Sequence, residues 1–288
     1  MDPLSTLPSL AQTIAAHGLS TRKSLGQHFL LDQGITNHIV RYAGDIGHCN
    51  IIEIGPGPGG LTRSLLAAGA KKLFVIEKDE RCLAILQELK QAAGDRLDII
   101  HGDALEVDIV AAVPPPRKIV ANLPYNAGTA MLLAWLDAIY ALPLRTGERP
   151  FESLTLMFQK EVALRIVAAQ GSKDYGRLSV LCQWLCDCRY DFELPAAAFT
   201  PPPKVDSAVI TLTPRAAPLV EVDKKALELI AAKAFGQRRK MLRSALKGLM
   251  IPADTLLAAA VIDGSLRAEQ LEVTAIGRLA QAYRELMG

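Results

Sequence analysis

The chain has 288 residues, half of them hydrophobic, and a formal net charge of +2. This length and composition exclude a mainly disordered chain and allow one large folded, soluble domain, or one domain and a smaller one. The small net charge does not by itself indicate a nucleic-acid-binding protein, so any such role depends on local clusters of basic residues.

The sequence carries no sign of a membrane or metal protein. Its first residues lack the basic start and apolar run of a signal peptide, and no stretch approaches the length needed to cross a bilayer, so we expect a cytoplasmic protein without membrane contact. Cys182, Cys186 and Cys188 crowd one segment without a neighbouring histidine, which favours buried free thiols over a zinc site. The five histidines show no metal-binding spacing, and no metal is predicted.

Short apolar runs alternate with helix-length amphipathic segments from about residue 50 to about residue 195, which is typical of a parallel sheet covered by helices. The predicted strands are Asn50–Ile54, Lys72–Glu77, Leu97–His101, Lys118–Ala121 and Leu154–Phe158. The predicted helices are Leu61–Ala68, Glu80–Ala93 and Thr129–Ala141. Two later runs, Cys188–Leu194 and Ala208–Thr213, alternate apolar and polar residues and predict a hairpin at the sheet edge.

A proline and alanine stretch, Pro214–Pro218, separates the last predicted strand from a wholly helical pattern that continues to Gly288. The sequence therefore predicts an α/β fold, with a Rossmann-like, mostly parallel sheet and a small all-α domain. The predicted divisions are an N-terminal extension of residues 1–21, an α/β domain of residues 22–214 and a helical domain of residues 215–288.

A glycine-rich loop follows the first predicted strand in the stretch IIEIGPGPGG. Gly55, Gly57 and Gly60 satisfy the dinucleotide pattern G-x-G-x-x-G, yet loops of this kind also hold S-adenosylmethionine. Glu77 ends the next strand, where a carboxylate can accept hydrogen bonds from both ribose hydroxyls. Because both ligands contain ribose, these residues favour a nucleoside ligand without choosing between redox chemistry and methyl transfer.

Polar residues also follow the third and fourth strands. Asp103 can accept a hydrogen bond from an adenine amino group, although an aspartate after glycine is more often a turn residue. The amide oxygen of Asn122 and a backbone carbonyl of Leu123 or Pro124 could accept both hydrogens of a base amine, which favours a pyramidal, nucleophilic nitrogen. Tyr125 could stack on the base. A hydride-transfer enzyme has no use for this cluster.

With these motifs the sequence resembles the ribosomal RNA adenine-N6 dimethyltransferase family, most closely the bacterial members that modify two adjacent adenines near the 3′ end of small-subunit (16S) rRNA. The matching stretches follow the family's order over most of the chain from Arg22 to Lys247. They are KSLGQHFLLD, EIGPGPGGLT, VIEKD, GDA, NLPYN, QKEVALR, YGRLSV, AFTPPPKVDS and AFGQRRKMLRSAL.

The resemblance implies a class I methyltransferase fold that uses S-adenosylmethionine. The family more commonly carries Asn where His28 stands, and both side chains can donate and accept hydrogen bonds. The implied cofactor residues are His28 and Leu30 over the methionine and nucleoside parts, Gly55 at the cofactor backbone, Glu77 at the ribose, Asp103 at the adenine amine, and Asn122 at the cofactor side and the target amine.

The resemblance also implies that the target adenine stacks between two aromatic rings. Phe199, in AFTPPP, would lie opposite Tyr125, and the alternative for Phe199 is a buried anchor of the proline loop. The expected partner is small-subunit rRNA within a 30S-type particle, and the protein is expected to be a monomer that acts in small-subunit biogenesis.

A basic segment between Lys233 and Lys247 contains no acidic residue, which favours phosphate contact in a protein otherwise balanced in charge. If the segment is one helix, Arg239, Arg243 and Lys247 form one stripe, and apolar residues on the other side face the core. The predicted RNA-binding residues are Arg238, Arg239, Lys240, Arg243 and Lys247, with Arg22 and Lys23 extending that surface.

Three alternatives stay open at this point. The large-subunit rRNA branch shares the NLPY-type motif, although the QRRK segment and the AFTPPPKVDS loop favour the small-subunit branch. A ribosome-assembly factor could retain the fold as a non-catalytic RNA-binding shape. An NAD-dependent oxidoreductase is the most distant alternative.

Overall fold

The computed structural model describes residues 3–19 and 28–288, and within these residues it contains nine strands and twelve α-helices. The strands are β1 (Phe29–Leu30), β2 (Asn50–Ile54), β3 (Lys72–Glu77), β4 (Leu97–His101), β5 (Arg117–Asn122), β6 (Ser153–Gln159), β7 (Cys186–Leu194), β8 (Phe199–Thr200) and β9 (Ser207–Pro214). The helices are α1 (Leu10–Ala16), α2 (Gln33–Tyr42), α3 (Gly60–Ala67), α4 (Glu80–Ala93), α5 (Ile109–Ala112), α6 (Gly128–Thr146), α7 (Lys160–Val167), α8 (Arg177–Leu185), α9 (Lys224–Gly236), α10 (Leu242–Ala245), α11 (Ala253–Ala259) and α12 (Val273–Met287).

Seven strands form one sheet in the order β4-β3-β2-β5-β6-β9-β7. The pairings from β4 to β6 are parallel, and β9 runs antiparallel to β6. Their sequences are nearly continuous apolar runs because parallel strands are covered on both faces. The predicted α/β fold, mostly parallel with an antiparallel edge, is confirmed. As a result, β2, β3, β4 and β5 all end at the same edge of the sheet.

The observed elements match the predicted ones most closely in the first half of the sheet. β2, β3, β4 and α4 have the predicted bounds. The other strands that were predicted extend, in the structure, one or two residues beyond their predicted ends. Helix α6 continues past the predicted end at Ala141, although Pro143 lies inside it. It ends where Gly147, with φ of +74°, donates its backbone N–H to the Pro143 carbonyl oxygen at 2.9 Å.

A second, two-stranded sheet joins segments that are far apart in the sequence. β1 and β8 pair antiparallel, with Phe29 opposite Thr200 and Leu30 opposite Phe199. The Leu30 and Phe199 side chains are buried in the hydrophobic core that α2, α3 and α4 build with the large sheet. This pairing therefore fixes the segment before α2 against the proline-rich loop.

The described residues divide into two compact units, Met1–Ala163 with Arg189–Thr213, and Leu164–Cys188 with Pro214–Gly288. The sequence had predicted that the whole of residues 22–214 would form the α/β domain. The assignment of Leu164–Cys188 to the second unit is a correction, because its side chains are anchored there. For example, Trp184 Nε1 donates to the Val220 carbonyl oxygen at 2.8 Å.

No helix among the described residues is both long enough and apolar enough to span a membrane.

Candidate active site

A cavity of about 310 Å³ opens at the edge where β2, β3 and β5 end, and it lies entirely within the first unit. In an open α/β sheet this edge is the general ligand site, because the loops that follow the strands form a crevice there. The structure brings nine of the predicted site residues together in its wall: His28, Leu30, Gly55, Glu77, Asp103, Asn122, Leu123, Pro124 and Tyr125.

The glycine-rich loop presents bare backbone to this cavity. Gly55 has φ of +61°, and a Cβ built on it would meet no atom of the described residues within 4 Å, so none of these residues fills the space in front of it. Gly60 is required for another reason. A Cβ there would lie 2.7 Å from the Leu30 carbonyl oxygen, so a side chain would push β1 away from the loop.

Glu77 is a buried carboxylate held by backbone amides. Its Oε2 accepts from the Gly57 N–H at 2.9 Å, and its Oε1 accepts from the Asp79 N–H at 2.7 Å. Burial raises the pKa of Glu77, while these backbone donors oppose the shift. Each oxygen keeps a lone pair for a further donor, so the fixed carboxyl group can receive ligand hydroxyls at the cavity wall.

Glu53 is a second buried carboxyl group in the cavity wall, and it is not among the residues predicted from the sequence. Thr62 Oγ1 donates to its Oε2 at 2.7 Å. Burial is the main cause that raises the pKa of Glu53 to about 8. The position of Glu53 in the sequence could have indicated a functional role, since an acidic residue inside an otherwise apolar buried strand is uncommon.

This pKa gives Glu53 a pH-dependent effect on stability. In the unfolded chain the residue ionises near its ordinary pKa of 4.5 and in the folded protein near 8, so between these values the unfolded chain binds fewer protons. Its contribution to the free energy of unfolding therefore falls as pH rises through that window. Glu53→Gln stays neutral, so its stability relative to the wild type is expected to be higher at pH 8.5 than at pH 5 by about 2 kcal/mol or more.

Denaturant unfolding of both proteins at the two pH values measures this difference. Glu106→Gln, at an exposed position of the same unit, is the control and should show no such change. A stability difference for Glu53→Gln that is the same at both pH values would contradict the prediction.

Asp103 is engaged by a residue that the sequence analysis did not include. Lys78 Nζ lies 2.7 Å from Asp103 Oδ2, and the Leu105 N–H donates to Oδ1 at 3.0 Å. The hydrogen bond from Lys78 is the main cause that lowers the pKa of Asp103. The carboxylate is therefore ionised at neutral pH and available as an acceptor, and the exposed lysine adds a movable positive charge at the cavity mouth.

The four residues of the NLPY segment all lie in the cavity wall. Asn122 Nδ2 donates to the His28 carbonyl oxygen at 3.4 Å, and the amide oxygen accepts from no donor among the residues that the structure describes. The Leu123 side chain is buried, so that residue offers its backbone to the cavity. Pro124 has no backbone N–H and fixes the turn. This arrangement gathers acceptors at one point of the wall.

Tyr125 is fixed at both ends. Its hydroxyl group hydrogen-bonds with Ser207 Oγ, and its ring stacks with His28 at 5.6 Å between centroids and an interplanar angle of 29°. Burial raises the pKa of Tyr125, so the phenol stays protonated. His28 Nδ1 lies 2.8 Å from the Pro201 carbonyl oxygen, which requires a proton on that nitrogen. His28 thus contacts the aromatic part of the site, a contact that the sequence did not predict.

Phe199 lies outside the wall of this cavity. Its side chain is 2% exposed and belongs to the hydrophobic core, and it does not line the cavity. Its ring offers no face on which a base could stack in this conformation. The predicted stacking role is therefore corrected, and the placement is that of a buried anchor for the proline loop.

The basic segment of the second unit is exposed but is not one helix. α9 ends at Gly236, and the chain turns before the short α10. The physical reason is that the Leu242 and Arg243 N–H groups donate to the Leu266 and Gly264 carbonyl oxygens at 2.7 and 3.1 Å, so they cannot continue α9. The single helical stripe predicted from the spacing is wrong.

The charges themselves remain clustered on this segment. The apolar residues predicted to face the core are Leu242, Ala245, Leu246 and Leu249. The first three are buried, whereas Leu249 is only partly buried. Arg22 and Lys23 lie outside the described residues. Five basic side chains are exposed and form no ion pair with a carboxylate of the described residues: Arg238, Arg239, Lys240, Arg243 and Lys247.

Comparisons with known proteins agree with this geometry. Residues 18–285 match the family described as ribosomal RNA adenine dimethylase. The chain is 52% identical over 281 residues to the ribosomal RNA small subunit methyltransferase A of Ruegeria pomeroyi, covering 98% of this chain and 99% of that protein.

Solved structures share the fold. A dimethyladenosine transferase from Plasmodium falciparum superposes with a TM-score of 0.75 at 24% identity, covering 90% of this chain and 98% of that one. The 23S rRNA methyltransferase ErmE gives a TM-score of 0.66 at 25% identity, covering 89% of this chain and 99% of that one.

Proposed function

The chain belongs to the ribosomal RNA adenine dimethylase family, and from this premise we propose that it dimethylates the N6 amines of two adjacent adenines near the 3′ end of 16S rRNA, with S-adenosylmethionine as methyl donor. The observation that carries the proposal is the meeting of Glu77 and the NLPY acceptors in one cavity wall. A ribose site beside an amine-binding site is what methyl transfer to a base requires.

The residues present fit S-adenosylmethionine. Glu77 is a fixed acceptor for ribose hydroxyls, and Asp103 is an ionised acceptor for the adenine amine. Gly55 leaves free space beside its backbone, which a close ligand can fill. When bound, the cofactor would supply a methyl group already activated by its sulfonium charge.

The protein's part in the reaction is to hold and polarise the target amine. A base amine is a poor nucleophile because its lone pair is delocalised into the ring. The Asn122 amide oxygen and the Leu123 carbonyl oxygen would accept its two hydrogens and favour a pyramidal nitrogen. The Pro124 carbonyl oxygen is the poorer candidate, because it already accepts from the Ala127 and Gly128 N–H groups at 3.1 and 2.9 Å. The nitrogen forms its new bond to carbon as the donor's bond to that carbon breaks, and the surplus amine proton then leaves to water.

Tyr125 would hold the plane of the base. The enzyme must take an adenine out of its stack to reach N6, and an aromatic face offsets part of the lost stacking energy. Because the Tyr125 hydroxyl is anchored to Ser207 and the ring contacts His28, the face is already oriented. No covalent intermediate is required.

The partner in this proposal is small-subunit rRNA within a 30S-type particle, met in the cytoplasm by a monomer. A relative with 52% identity that is named for the small subunit supports this branch over the large-subunit one. The intact Glu77, Asp103, Asn122 and Tyr125 support catalysis over a purely structural assembly role, although both can coexist.

The test is incubation of the protein with labelled S-adenosylmethionine and unmodified small or large ribosomal subunits, followed by mapping with nucleoside mass spectrometry. Dimethyladenosine in 16S rRNA alone is the expected result. Label in the large subunit would favour the other branch. Binding of small subunits without any transfer would favour the assembly factor, and binding of NAD in place of S-adenosylmethionine would favour an oxidoreductase.

The exposed basic segment is proposed to contact RNA phosphates. Reversal of Arg239, Arg243 and Lys247 to Glu is expected to weaken RNA binding by about tenfold or more and to reduce the salt slope of the affinity by about 2. Filter binding over a range of salt concentrations measures both quantities.

A matched control reverses three other exposed basic residues of the same unit, Lys225, Arg278 and Arg284. It changes the net charge by the same amount, so it separates a local contact from a general charge effect. Equal losses in the two triple variants would show that the segment is only a solvated face.

A further inference from the structure

A second cluster of chemically active side chains lies at the other end of the large sheet, where β2 and β6 begin. Cys49 and Glu152 immediately precede these strands, and β5 begins between them. His48 completes the cluster. One nitrogen of His48, the Cys49 sulfur and one Glu152 oxygen all lie within 4.8 Å of one another, the one such group of three found in the parts of the chain that the structure describes.

The distances within this cluster suit a shared cation. His48 Nε2 lies 3.0 Å from Glu152 Oε2, and the Cys49 sulfur lies 3.2 Å from the same oxygen. Around a tetrahedral zinc ion, with bonds of about 2.0 to 2.3 Å, neighbouring ligand atoms are about 3.3 to 3.6 Å apart. The two atoms that contact Glu152 Oε2 would have to move away from it by only a few tenths of an ångström to admit the ion, and the His48 nitrogen and the Cys49 sulfur lie within 4.8 Å of each other.

The orientation of His48 also suits a ligand. Its Nδ1 lies 3.1 Å from Asp45 Oδ2, and a carboxylate at one ring nitrogen fixes the proton there. With a cation between Nε2 and Glu152, the proton would stay on Nδ1 and the lone pair of Nε2 would face the ion. Asp45 is itself held, because its Oδ1 accepts from the Gly47 N–H at 2.9 Å. Metal-binding histidines commonly have a carboxylate in this supporting position.

The loop that carries Asp45 and His48 is held in place by Lys118. Its Nζ donates to the carbonyl oxygens of Ala43 and Asp45 at 3.2 and 2.6 Å. The Cys49 side chain is buried, whereas the side chains of His48 and Glu152 are 50% and 42% exposed. The cluster is therefore rigid on its inner side and open to solvent on the other, where a water molecule can complete a fourth position.

We propose that His48, Cys49 and Glu152 bind one Zn²⁺ ion, with water in the fourth position. Thiolate, imidazole and carboxylate together favour zinc over magnesium or calcium, which prefer oxygen ligands alone. The ion would link β2 to β6 across the start of β5, and its role is to stabilise the sheet. The histidine spacing gave no sign of the site, because Glu152 is brought to it only by the fold.

The test uses the full chain without an affinity tag, freed of metal and titrated with Zn²⁺ alone by calorimetry. One equivalent is expected, with the affinity lowered at least about tenfold in each of His48→Gln, Cys49→Ser and Glu152→Gln. With Co²⁺ in place of zinc, the wild type should show a thiolate-to-cobalt charge-transfer band. Zinc in large excess should raise the melting temperature of the wild type by several degrees and that of His48→Gln much less.

Two controls match the altered residues. His17→Gln removes an imidazole paired with the Glu88 carboxylate at 3.0 Å, and Cys188→Ser removes a thiol outside the cluster. Neither should change the binding.

Binding of no equivalent of zinc, or unchanged affinity in His48→Gln and Glu152→Gln, would overturn the proposal and leave His48 as a side chain that only hydrogen-bonds with two carboxylates. Absence of the thiolate band would do the same. Because the His48 and Glu152 side chains are partly exposed, their variants are expected to fold. These variants and the wild-type cobalt spectrum therefore decide the question even if Cys49→Ser folds poorly.

Discussion

Asn122→Ala is expected to lower the rate of methyl transfer by about 10² to 10³-fold and to change the affinity for S-adenosylmethionine by no more than about threefold. In the proposed function the Asn122 amide oxygen accepts from the target amine, whereas the proposed acceptors for the donor's ribose and adenine are Glu77 at the end of β3 and Asp103 after β4. The variant should therefore lose rate in the methyl-transfer step and keep its affinity for the cofactor. Single-turnover assays with small subunits, combined with calorimetry for the cofactor, separate the two effects.

Two further variants sharpen this result. Asn122→Asp keeps an acceptor oxygen and is expected to retain more activity than Asn122→Ala. Asn37→Ala, at an exposed position of α2, is the control for loss of an amide and should behave as the wild type. Full activity in Asn122→Ala would refute the assigned role, and a large loss of cofactor affinity would move that role to cofactor binding.

Glu77→Gln is expected to weaken S-adenosylmethionine binding by about 10 to 100-fold. The substitution keeps the size of the side chain but replaces one acceptor oxygen by a donor, which faces either the Gly57 or the Asp79 N–H. The site then loses an acceptor for ribose and gains a buried donor without a partner. Calorimetric titration of the cofactor measures the change.

The control for Glu77→Gln is Glu80→Gln, at an exposed position at the start of α4. Thermal unfolding of the variants without cofactor shows whether the fold is retained. Unchanged cofactor affinity in a folded Glu77→Gln protein would count against a ribose contact at this residue.

The sequence predicted the parallel sheet well because its strands have strong local signals. β3 is a continuous apolar run, and Asp79 caps the helix that follows it. Once the strands are parallel, residues at their carboxyl ends must meet at one edge, so Glu77 and Asn122 could be assigned to one site.

Contacts between distant segments account for what the sequence missed. The Lys78–Asp103 ion pair and the burial of Phe199 against β1 depend on strand neighbours that no local pattern specifies. The basic segment shows the same limit, since its spacing is compatible with a helix. Backbone bonds from Leu242 and Arg243 to a later loop break that helix.

The pairing of β1 with β8 couples the segment before α2 to the proline-rich loop, so that a movement of one segment displaces the other. His28, next to β1, is bonded to Pro201, next to β8, and its carbonyl oxygen holds the Asn122 amide. A displacement of the proline loop is therefore transmitted to the acceptor at the target amine. A small molecule wedged between these two short strands is therefore expected to inhibit methyl transfer by displacing His28 and Leu30 in the cavity wall.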